Sequence, residues 1–494
     1  MFLGIDLGTS EIKLLLLDGH GQVRGRAAAP LTVSRPQPLW SEQDPEHWWT
    51  ATLQAVAQLR QAAPDAFAQV RAIGLSGQMH GAVLLGEADQ VLRPAILWND
   101  GRSHAECDEL TQAAPRLHEI AGNLAMPGFT APKLLWVRRH EPELFARTRT
   151  VLLPKDYLRL RLTGEKWSDP SDAAGTLWLD VAARDWSDEL LAAGGLTRAH
   201  MPRIVESNRA SASLRPELAR DWGLAPEVAV AGGAGDNAAS AIGIGATAPG
   251  AGFISMGTSG VLFVANDRFR PNPSSAVHAF CHALPDRWHQ MSVMLTAASG
   301  LRWFCHFSGA ADEAALLAEV QALNAQDLAR APLFLPYLAG ERTPHNDAFA
   351  TGSLHGLTHE TTRAHGGYAV LEGVAFGMAD GLAALQAAGT QVRELSFVGG
   401  GARSNFWAQL MADALGVEIV QHADADAGGA LGAARLAWMA AGASESQACV
   451  RPAVTRRFEP QPARQGVLAE RLTQFRALYP ALRSVRPSTS SAGA

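Results

Sequence analysis

The chain has little lysine, little cysteine and no long uninterrupted apolar run. Of its 42 basic residues 38 are arginine, the formal net charge is −6, and no basic block occurs. This balance argues against a surface built for nucleic acid or for a membrane. The four cysteines form no CxxC pair, which predicts a reduced, cytoplasmic protein. The longest apolar runs are shorter than the ~20 residues that cross a bilayer.

The length and composition predict more than one domain. With 494 residues, 47% of them hydrophobic, the chain is too long for one ordinary core and fits two or three. Strands that end at polar loops and are followed by helices, such as residues 72–80 and 228–245, indicate α/β domains with a site at the strand ends. Pro45 to Ala63 is predicted as a helix capped by Asp44.

A strand–turn–strand pattern occurs twice, at residues 3–17 and again at 253–264. The turns read Gly8-Thr9-Ser10 and Gly257-Thr258-Ser259. Such turns can aim backbone N–H groups and hydroxyls at a phosphate, and two facing turns would hold a polyphosphate. Asp6 has Ser255 at the matching place, and one carboxylate is enough to hold Mg²⁺ against phosphate oxygens. A turn-stabilising role for Asp6 is the alternative.

Further candidate residues lie at other predicted strand ends. Gly399-Gly400-Gly401 is a third glycine-bearing element, and no P-loop or protein-kinase motif is present. Asp236 follows four small residues and is the best candidate for a general base, with a helix N-cap as the alternative. Polar groups that suit a polyhydroxylated substrate follow two further predicted strands, at residues 72–76 and 91–98: Gln78, Met79, His80, Asn99 and Asp100. A structural role is the alternative for His80.

At these residues the chain resembles the FGGY carbohydrate kinases, and the resemblance runs to about residue 440. Residues 128–140 fit the first family signature at every fixed position, and residues 352–372 fit the second with one departure. Gly366 stands where an aliphatic residue is expected, which predicts a frayed or shifted helix start. Residues 40–45, 77–81, 97–102 and 340–346 resemble the members that phosphorylate D-xylulose. Ala234 replaces a glycine common in the family.

The resemblance implies an α/β fold of two ribonuclease-H-like domains, as in actin and hexokinase, with a catalytic cleft between them. The sugar-binding domain would cover residues 1–245, with a helical insertion at about 104–220. The nucleotide-binding domain would cover 246–480, and 487–494 would be a disordered tail. The implied reaction is ATP-dependent phosphorylation of D-xylulose at its 5-hydroxyl, with Mg²⁺.

The resemblance also implies the site residues. Asp236 is implied as the general base, and Asp6 as the residue linked to the metal. The sugar site would contain Met79, His80, Asp236 and Asn237. The ATP site would contain Thr9, Ser10, Lys13, Gly257, Thr258, Gly401 and Asn405.

Two alternative functions are open. The nearest is a kinase of the same family that acts on another ketose or polyol, such as ribulose or glycerol. The other is an actin-like ATPase without a sugar substrate, although a filament protein needs no polar sugar pocket. A sugar-responsive repressor would need a helix-turn-helix and a basic face, and the sequence has neither. The expected partners are small molecules alone, and the sequence leaves monomer or homodimer open.

Overall fold

The computed structural model describes residues 1–423 and 428–485. The strands of the first half are β1 Phe2–Leu7, β2 Glu11–Leu17, β3 Val23–Pro30, β4 Glu42–Gln43, β5 Ala72–Gly77, β6 Val83–Leu85, β7 Ala95–Ile96, β8 Thr150–Leu152, β9 Trp167–Ser168, β10 Leu179–Asp180, β11 Asp185–Trp186, β12 Arg203–Ile204, β13 Ala210–Ser213, β14 Ala229–Ala231 and β15 Ala234–Gly235. Those of the second half are β16 Ala251–Met256, β17 Gly260–Asn266, β18 His278–Cys281, β19 Trp288–Met294, β20 Leu333–Leu335, β21 Ser353–His355, β22 Glu394–Val398, β23 Glu418–His422 and β24 Val454–Phe458.

The helices alternate with these strands, as the sequence pattern predicts. In the first half they are α1 Pro45–Ala62, α2 Pro64–Phe67, α3 His104–Ala113, α4 Leu117–Ile120, α5 Thr130–His140, α6 Pro142–Arg147, α7 Pro154–Thr163, α8 Pro170–Ala173, α9 Asp188–Ala193, α10 Pro216–Trp222 and α11 Asp236–Ile244. In the second half they are α12 Ala298–Ser308, α13 Glu313–Gln321, α14 Ala325–Arg330, α15 Arg363–Ala387, α16 Asn405–Leu415, α17 Gly428–Ala440, α18 Glu445–Ala448 and α19 Pro462–Arg483. Short 3₁₀ helices cover Ala174–Thr176, Arg198–His200, Pro273–Ser275 and Gly400–Arg403.

Two seven-stranded sheets share one topology. The first has the order β13-β14-β5-β1-β2-β3, with β15 beside the end of β5, and the second has the order β18-β19-β17-β16-β22-β23-β24. In each, three antiparallel strands are followed by two parallel ones: β3-β2-β1 then β5 and β14, and β19-β17-β16 then β22 and β23. This repeat confirms the predicted fold of two ribonuclease-H-like domains.

The hydrophobic cores follow this division, and one core joins the two halves. Helix α1 packs on the first sheet, and α15 is buried within the second half. A further cluster brings apolar residues of the segment after α3, such as Phe129 and Trp178, against Phe253, Phe263 and Phe280 of the second sheet. This part of the chain therefore packs against the second sheet.

Three local predictions need correction. The strand expected at 91–98 is reduced to Ala95–Ile96. The segment 104–220 is not only helical, because it contains short strands and its last strand, β13, pairs with β14 in the main sheet. Helix α15 is not frayed near Gly366: it begins at Arg363 under the Thr362 cap, and a Cβ at Gly366 would lie 2.3 Å from the Phe304 ring. The glycine makes room for that ring. Helix α1 and its Asp44 cap are as predicted.

Helix α17 returns from the second half to the first sheet, which the sequence did not indicate. It packs against β1, β5 and α11, and the approach is close because glycine lies at each crossing. A Cβ at Gly4 or Gly74 would lie 2.0 or 1.9 Å from a backbone oxygen of α17, and one at Gly432 would lie 1.7 Å from the Ala239 oxygen of α11. Residues 424–427, between β23 and α17, and the predicted tail at 487–494 lie outside the described residues.

Two further observations concern the long apolar helix α15 and the cysteines. One helix in the described part of the chain, α15, is long and apolar enough to cross a membrane, and 83% of its most apolar window is buried within the fold. All four cysteines are free thiols.

Candidate active site

The site is built on the ends of three adjacent strands. β1, β5 and β15 run parallel, so their carboxyl ends share one edge of the sheet. The register sets Asp6 beside Ser76 and Ser76 beside Ala234, two residues before Asp236. Three polar loops therefore leave the sheet at the same edge: Gly8-Thr9-Ser10, Gln78-Met79-His80 and Asp236-Asn237.

Asp236 is the first residue of α11, and its carboxylate stays at the strand end. Gly235 is the N-cap, so the helix-cap interpretation of Asp236 is wrong. Asp236 Oδ1 accepts hydrogen bonds from the Asn237 backbone N–H at 2.8 Å and from Asn237 Nδ2 at 3.0 Å. Burial, with the nearby charge of Asp6, raises the pKa of Asp236 to about 6. A carboxylate with that pKa is ionised at neutral pH and basic enough to accept a proton.

Asp6 lies beside this group and is held by its neighbours. The Ser76 hydroxyl donates to Asp6 Oδ1 at 2.8 Å. Burial raises the pKa of Asp6, and the Ser76 hydrogen bond and the charge of Lys13 oppose that shift. Lys13 on β2 lies opposite Asp6 on β1 in the strand register. Its ammonium forms a half-exposed ion pair with Glu11 at 3.0 Å. Gly429, at the start of α17, lies against both Asp6 and Ser76.

His80 is a neutral ring with a defined orientation. Its Nδ1 lies 2.7 Å from the Gly175 carbonyl oxygen. Because a carbonyl only accepts, Nδ1 carries the proton and Nε2 is left as an acceptor. Burial lowers the pKa of His80 to about 3. The Phe129 ring lies edge-on to the His80 ring, with the two ring centroids 4.7 Å apart. The preceding residue, Met79, is 5% exposed.

The Gly8-Thr9-Ser10 turn is fixed by a side-chain network. The Thr9 hydroxyl donates to Gln78 Oε1 at 2.9 Å and accepts from Trp98 Nε1 at 3.0 Å. Gln43 Nε2 donates to the Thr9 carbonyl at 2.8 Å. The Thr9 hydroxyl is therefore engaged, contrary to the expectation that it faces a phosphate. Ser10 is exposed.

Asp100 also differs from its prediction. It is buried, receives the Ser41 N–H at 2.6 Å and is paired with Arg102 at 2.6 Å. It stabilises its own loop and is not a free sugar ligand.

A separate cavity lies in the second half of the chain. The Gly257-Thr258 turn is exposed, and its carbonyl oxygens accept the N–H groups of Ala297 and Ala298 before and within α12. Gly401 packs on Met256, the residue before this turn, where a Cβ would lie 2.3 Å from Met256 Cγ. Gly401 and Asn405 line a cavity of about 990 Å³, together with Ala298, Arg302, Glu313 and Trp407 among others.

The described residues contain no cluster of three metal-binding side chains. A metal at Asp6 would accordingly need most of its oxygen ligands from water or phosphate, which is how Mg²⁺ is bound with nucleotides.

Two family models match the chain. The N-terminal domain of the FGGY family of carbohydrate kinases matches residues 1–243, and its C-terminal domain matches residues 252–441. The chain belongs to the FGGY family of carbohydrate kinases. It is therefore a sugar kinase, a class whose phosphate donor is ATP.

This kinase is similar to named relatives over nearly its whole length. It is 50% identical to a xylulose kinase of Escherichia coli (strain K12) over 481 residues, 97% of this chain and 98% of that one. A xyloylose kinase from Brucella ovis, known from its crystal structure, is 53% identical to this chain with a TM-score of 0.95. The match covers 98% of this chain and 100% of the Brucella chain. Plasmodium falciparum glycerol kinase, at 18% identity and a TM-score of 0.89, shares the fold.

Three site residues of this kinase were not assigned from sequence. Ser76 could have been found from the strand register opposite Asp6. Buried Lys133 donates to the His80 carbonyl at 2.8 Å and to the Gly128 carbonyl at 2.7 Å. Arg342, from the second half of the chain, lies close enough to His80 and His278 for its charge to add to burial, the main cause, in lowering the pKa of both rings. Both cations lie in segments that the sequence marked as family-like.

Proposed function

We propose that this kinase transfers the γ-phosphoryl group of ATP to the 5-hydroxyl of D-xylulose, with Asp236 as the general base. The single observation that carries the proposal is the Asp236 carboxylate, half-buried at a strand end with its pKa raised to about 6, beside Asp6 and Asn237. The names of the relatives at 50–53% identity support D-xylulose as the sugar.

The proposed division of labour follows the lobes. The first lobe, residues 1–245, binds the sugar through Met79, His80, Asp236 and Asn237, and His80 Nε2 accepts a hydroxyl. The second lobe, residues 246–480, binds ATP through Gly257, Thr258, Gly401 and Asn405, with the adenosine end in the 990 Å³ cavity. Thr9 and Ser10 reach the phosphates through backbone N–H groups, and Lys13 through its ammonium.

In the proposed reaction Asp236 accepts the 5-hydroxyl proton as that oxygen bonds to the γ-phosphorus. The bond between this phosphorus and the β–γ bridging oxygen breaks, and ADP leaves with the electron pair. Asp6 would hold the Mg²⁺ that accompanies ATP, directly or through water, and the ion would neutralise charge on the phosphate oxygens. Positioning and charge stabilisation supply most of the acceleration in such transfers.

A substrate panel tests the proposed sugar. We expect D-xylulose to have the highest kcat/KM in an ADP-release assay against ribulose, a hexulose and glycerol, by about tenfold or more, because unpaired polar groups in the site penalise the wrong sugar. A higher kcat/KM with another sugar would make this enzyme a kinase of the same family for that other sugar. ADP release at the full rate without sugar would instead favour the ATPase alternative.

The pKa of Asp236 predicts the pH dependence of the reaction. The base must be ionised, so kcat/KM for the sugar should rise with pH through about 6 and level off above it. At pH ~5 it should be about tenfold below the plateau, since roughly one carboxyl in ten is then ionised. His80 stays neutral across this range because its pKa is about 3. A rate independent of pH between ~5 and ~8 would contradict the role of Asp236.

We also propose that the enzyme acts in the cytoplasm on small molecules alone, without nucleic-acid or membrane partners. Monomer or homodimer is to be decided by light scattering.

A further inference from the structure

A cluster of charged side chains lies beneath the strand ends that carry the sugar site. Lys155 Nζ contacts Asp156 Oδ1 at 2.5 Å, Asp169 Oδ1 at 2.8 Å and Asp172 Oδ2 at 3.2 Å, and every one of these side chains is 0% exposed. Arg159, equally buried, lies 3.8 Å from Asp156. Fully buried charges are costly unless they are paired and hydrogen-bonded. So many in one place call for a reason other than stability.

Burial raises the pKa of Asp172 well above its ordinary value, and the charge of Lys155 opposes that shift. Two cations, Lys155 and Arg159, thus lie among three acidic side chains, those of Asp156, Asp169 and Asp172.

One arm of the cluster ends one residue before Asp236. Asp169 Oδ2 accepts the Ser171 hydroxyl at 2.5 Å and the Ser207 hydroxyl at 2.7 Å. Ser171 Oγ in turn accepts the N–H of Gly235 at 3.2 Å. The Ser207 carbonyl accepts the N–H of Gly233 at 3.0 Å. Both amides thus depend on groups that a single carboxylate orients.

A second arm holds the start of the same segment. Arg159 Nη1 donates to the Ala231 carbonyl at 2.7 Å, and Nη2 donates to the Gly232 carbonyl. Residues 232–235 have almost no side chains of their own, since three of the four are glycine. Packing of their own side chains cannot fix such a segment, so it is held through its backbone, by the pairing of β15 with β5 and by the hydrogen bonds from the cluster.

We propose that Asp169 and Ser171 are positioning residues for the general base: through the Gly235 N–H they fix where the Asp236 carboxylate stands relative to the sugar. The inference rests on the proposed role of Asp236. Misplacing a reacting group by about 1 Å can cost ~10²-fold in rate, whereas sugar binding also uses Met79, His80 and Asn237 and depends less on one carboxylate.

Ser171→Ala and Ser168→Ala form a matched pair for the test. Both serines are 0% exposed and both donate to a carboxylate of the cluster, Ser168 to Asp156 Oδ2 at 2.6 Å. Within the described residues, only the Ser171 hydroxyl of the two contacts the 231–235 segment. We expect Ser171→Ala to lower kcat by about 10–10²-fold with the sugar KM changed less than ~3-fold, and Ser168→Ala to keep kcat within ~3-fold. Ser171→Thr, which keeps the hydroxyl, should restore most of kcat.

Melting temperatures of all variants separate folding from positioning. Two outcomes would overturn the inference: an equal loss of kcat in Ser171→Ala and Ser168→Ala, or an unchanged kcat in Ser171→Ala. If Asp236→Asn is inactive in the same assay, the proposed base is kept and only the positioning role is lost. If Ser171→Ala fails to fold, kcat of Ser171→Thr decides the test. A decrease in that kcat as large as the one predicted for Ser171→Ala would overturn the inference. Full turnover in Asp236→Asn would instead remove the proposed base, and the inference with it.

Discussion

Asp236→Asn is expected to lower kcat by at least about 10²–10⁴-fold while D-xylulose still binds. The amide has the shape of the carboxylate but cannot accept the hydroxyl proton, and its oxygen can still receive the Asn237 N–H groups. Removing a half-buried carboxylate whose pKa is raised by desolvation relieves that cost, so the melting temperature should not fall. The change therefore isolates proton transfer from folding.

The measurement combines steady-state ADP release with calorimetric titration of the sugar. Asp44→Asn is the control, because Asp44 caps α1 at the surface and asparagine caps a helix equally well. It should keep kcat and melting temperature. Near-normal turnover in Asp236→Asn would remove the assignment of the base, whereas loss of sugar binding alone would make Asp236 a binding residue.

Gly432→Ala is expected to destabilise the protein by about 1–3 kcal/mol or more and to lower kcat as well. The added Cβ would lie 1.7 Å from the Ala239 carbonyl oxygen, and backbone cannot move aside as a flexible side chain can. Helix α17 must therefore shift away from α11. Since Gly429 of α17 lies against Asp6, and α11 begins with Asp236, the shift changes the spacing of the two carboxylates.

Gly466→Ala is the matched control for this prediction. Gly466 is also an interior helical glycine, in α19, but it is exposed and a Cβ there meets nothing within 4 Å. Alanine should stabilise that helix by up to about 1 kcal/mol and leave kcat unchanged. Denaturant unfolding and ADP-release kinetics measure both variants. Equal stability of Gly432→Ala and Gly466→Ala would show that the crossing of α11 and α17 is not tightly packed.

The parts of the fold that the sequence predicted are those set by local pattern. The two hairpins follow from short apolar strands on either side of Gly-Thr-Ser turns, and the repeat of one hairpin in each half anticipated the repeat of the whole sheet. The cap and first turn of α1 are likewise local, since Asp44 and Pro45 are adjacent in sequence. The α/β character likewise follows from strands that end at polar loops before helices, whereas the two ribonuclease-H-like domains were implied by the family resemblance.

What the sequence could not give depends on contacts between distant residues. The Thr9 hydroxyl is taken by Gln78 and Trp98, 69 and 89 positions away, so its isolated turn suggested a phosphate contact instead. Gly366 looked like a defect because its partner, Phe304, lies in another helix. The return of α17 to the first sheet is marked only by single glycines in three different elements. The predicted site residues rest on the family resemblance, and the strand register explains why the polar residues after β1, β5 and β15 lie at one edge of the first sheet.

A crystal structure with D-xylulose and a non-hydrolysable ATP analogue tests the central claim most directly. The account predicts an Asp236 carboxylate oxygen about 2.6–3.2 Å from the sugar 5-hydroxyl, on the side away from the γ-phosphorus of the nucleotide bound by the second lobe. A sugar whose 5-hydroxyl meets another base, or an Asp236 side chain turned away from both ligands, would contradict it.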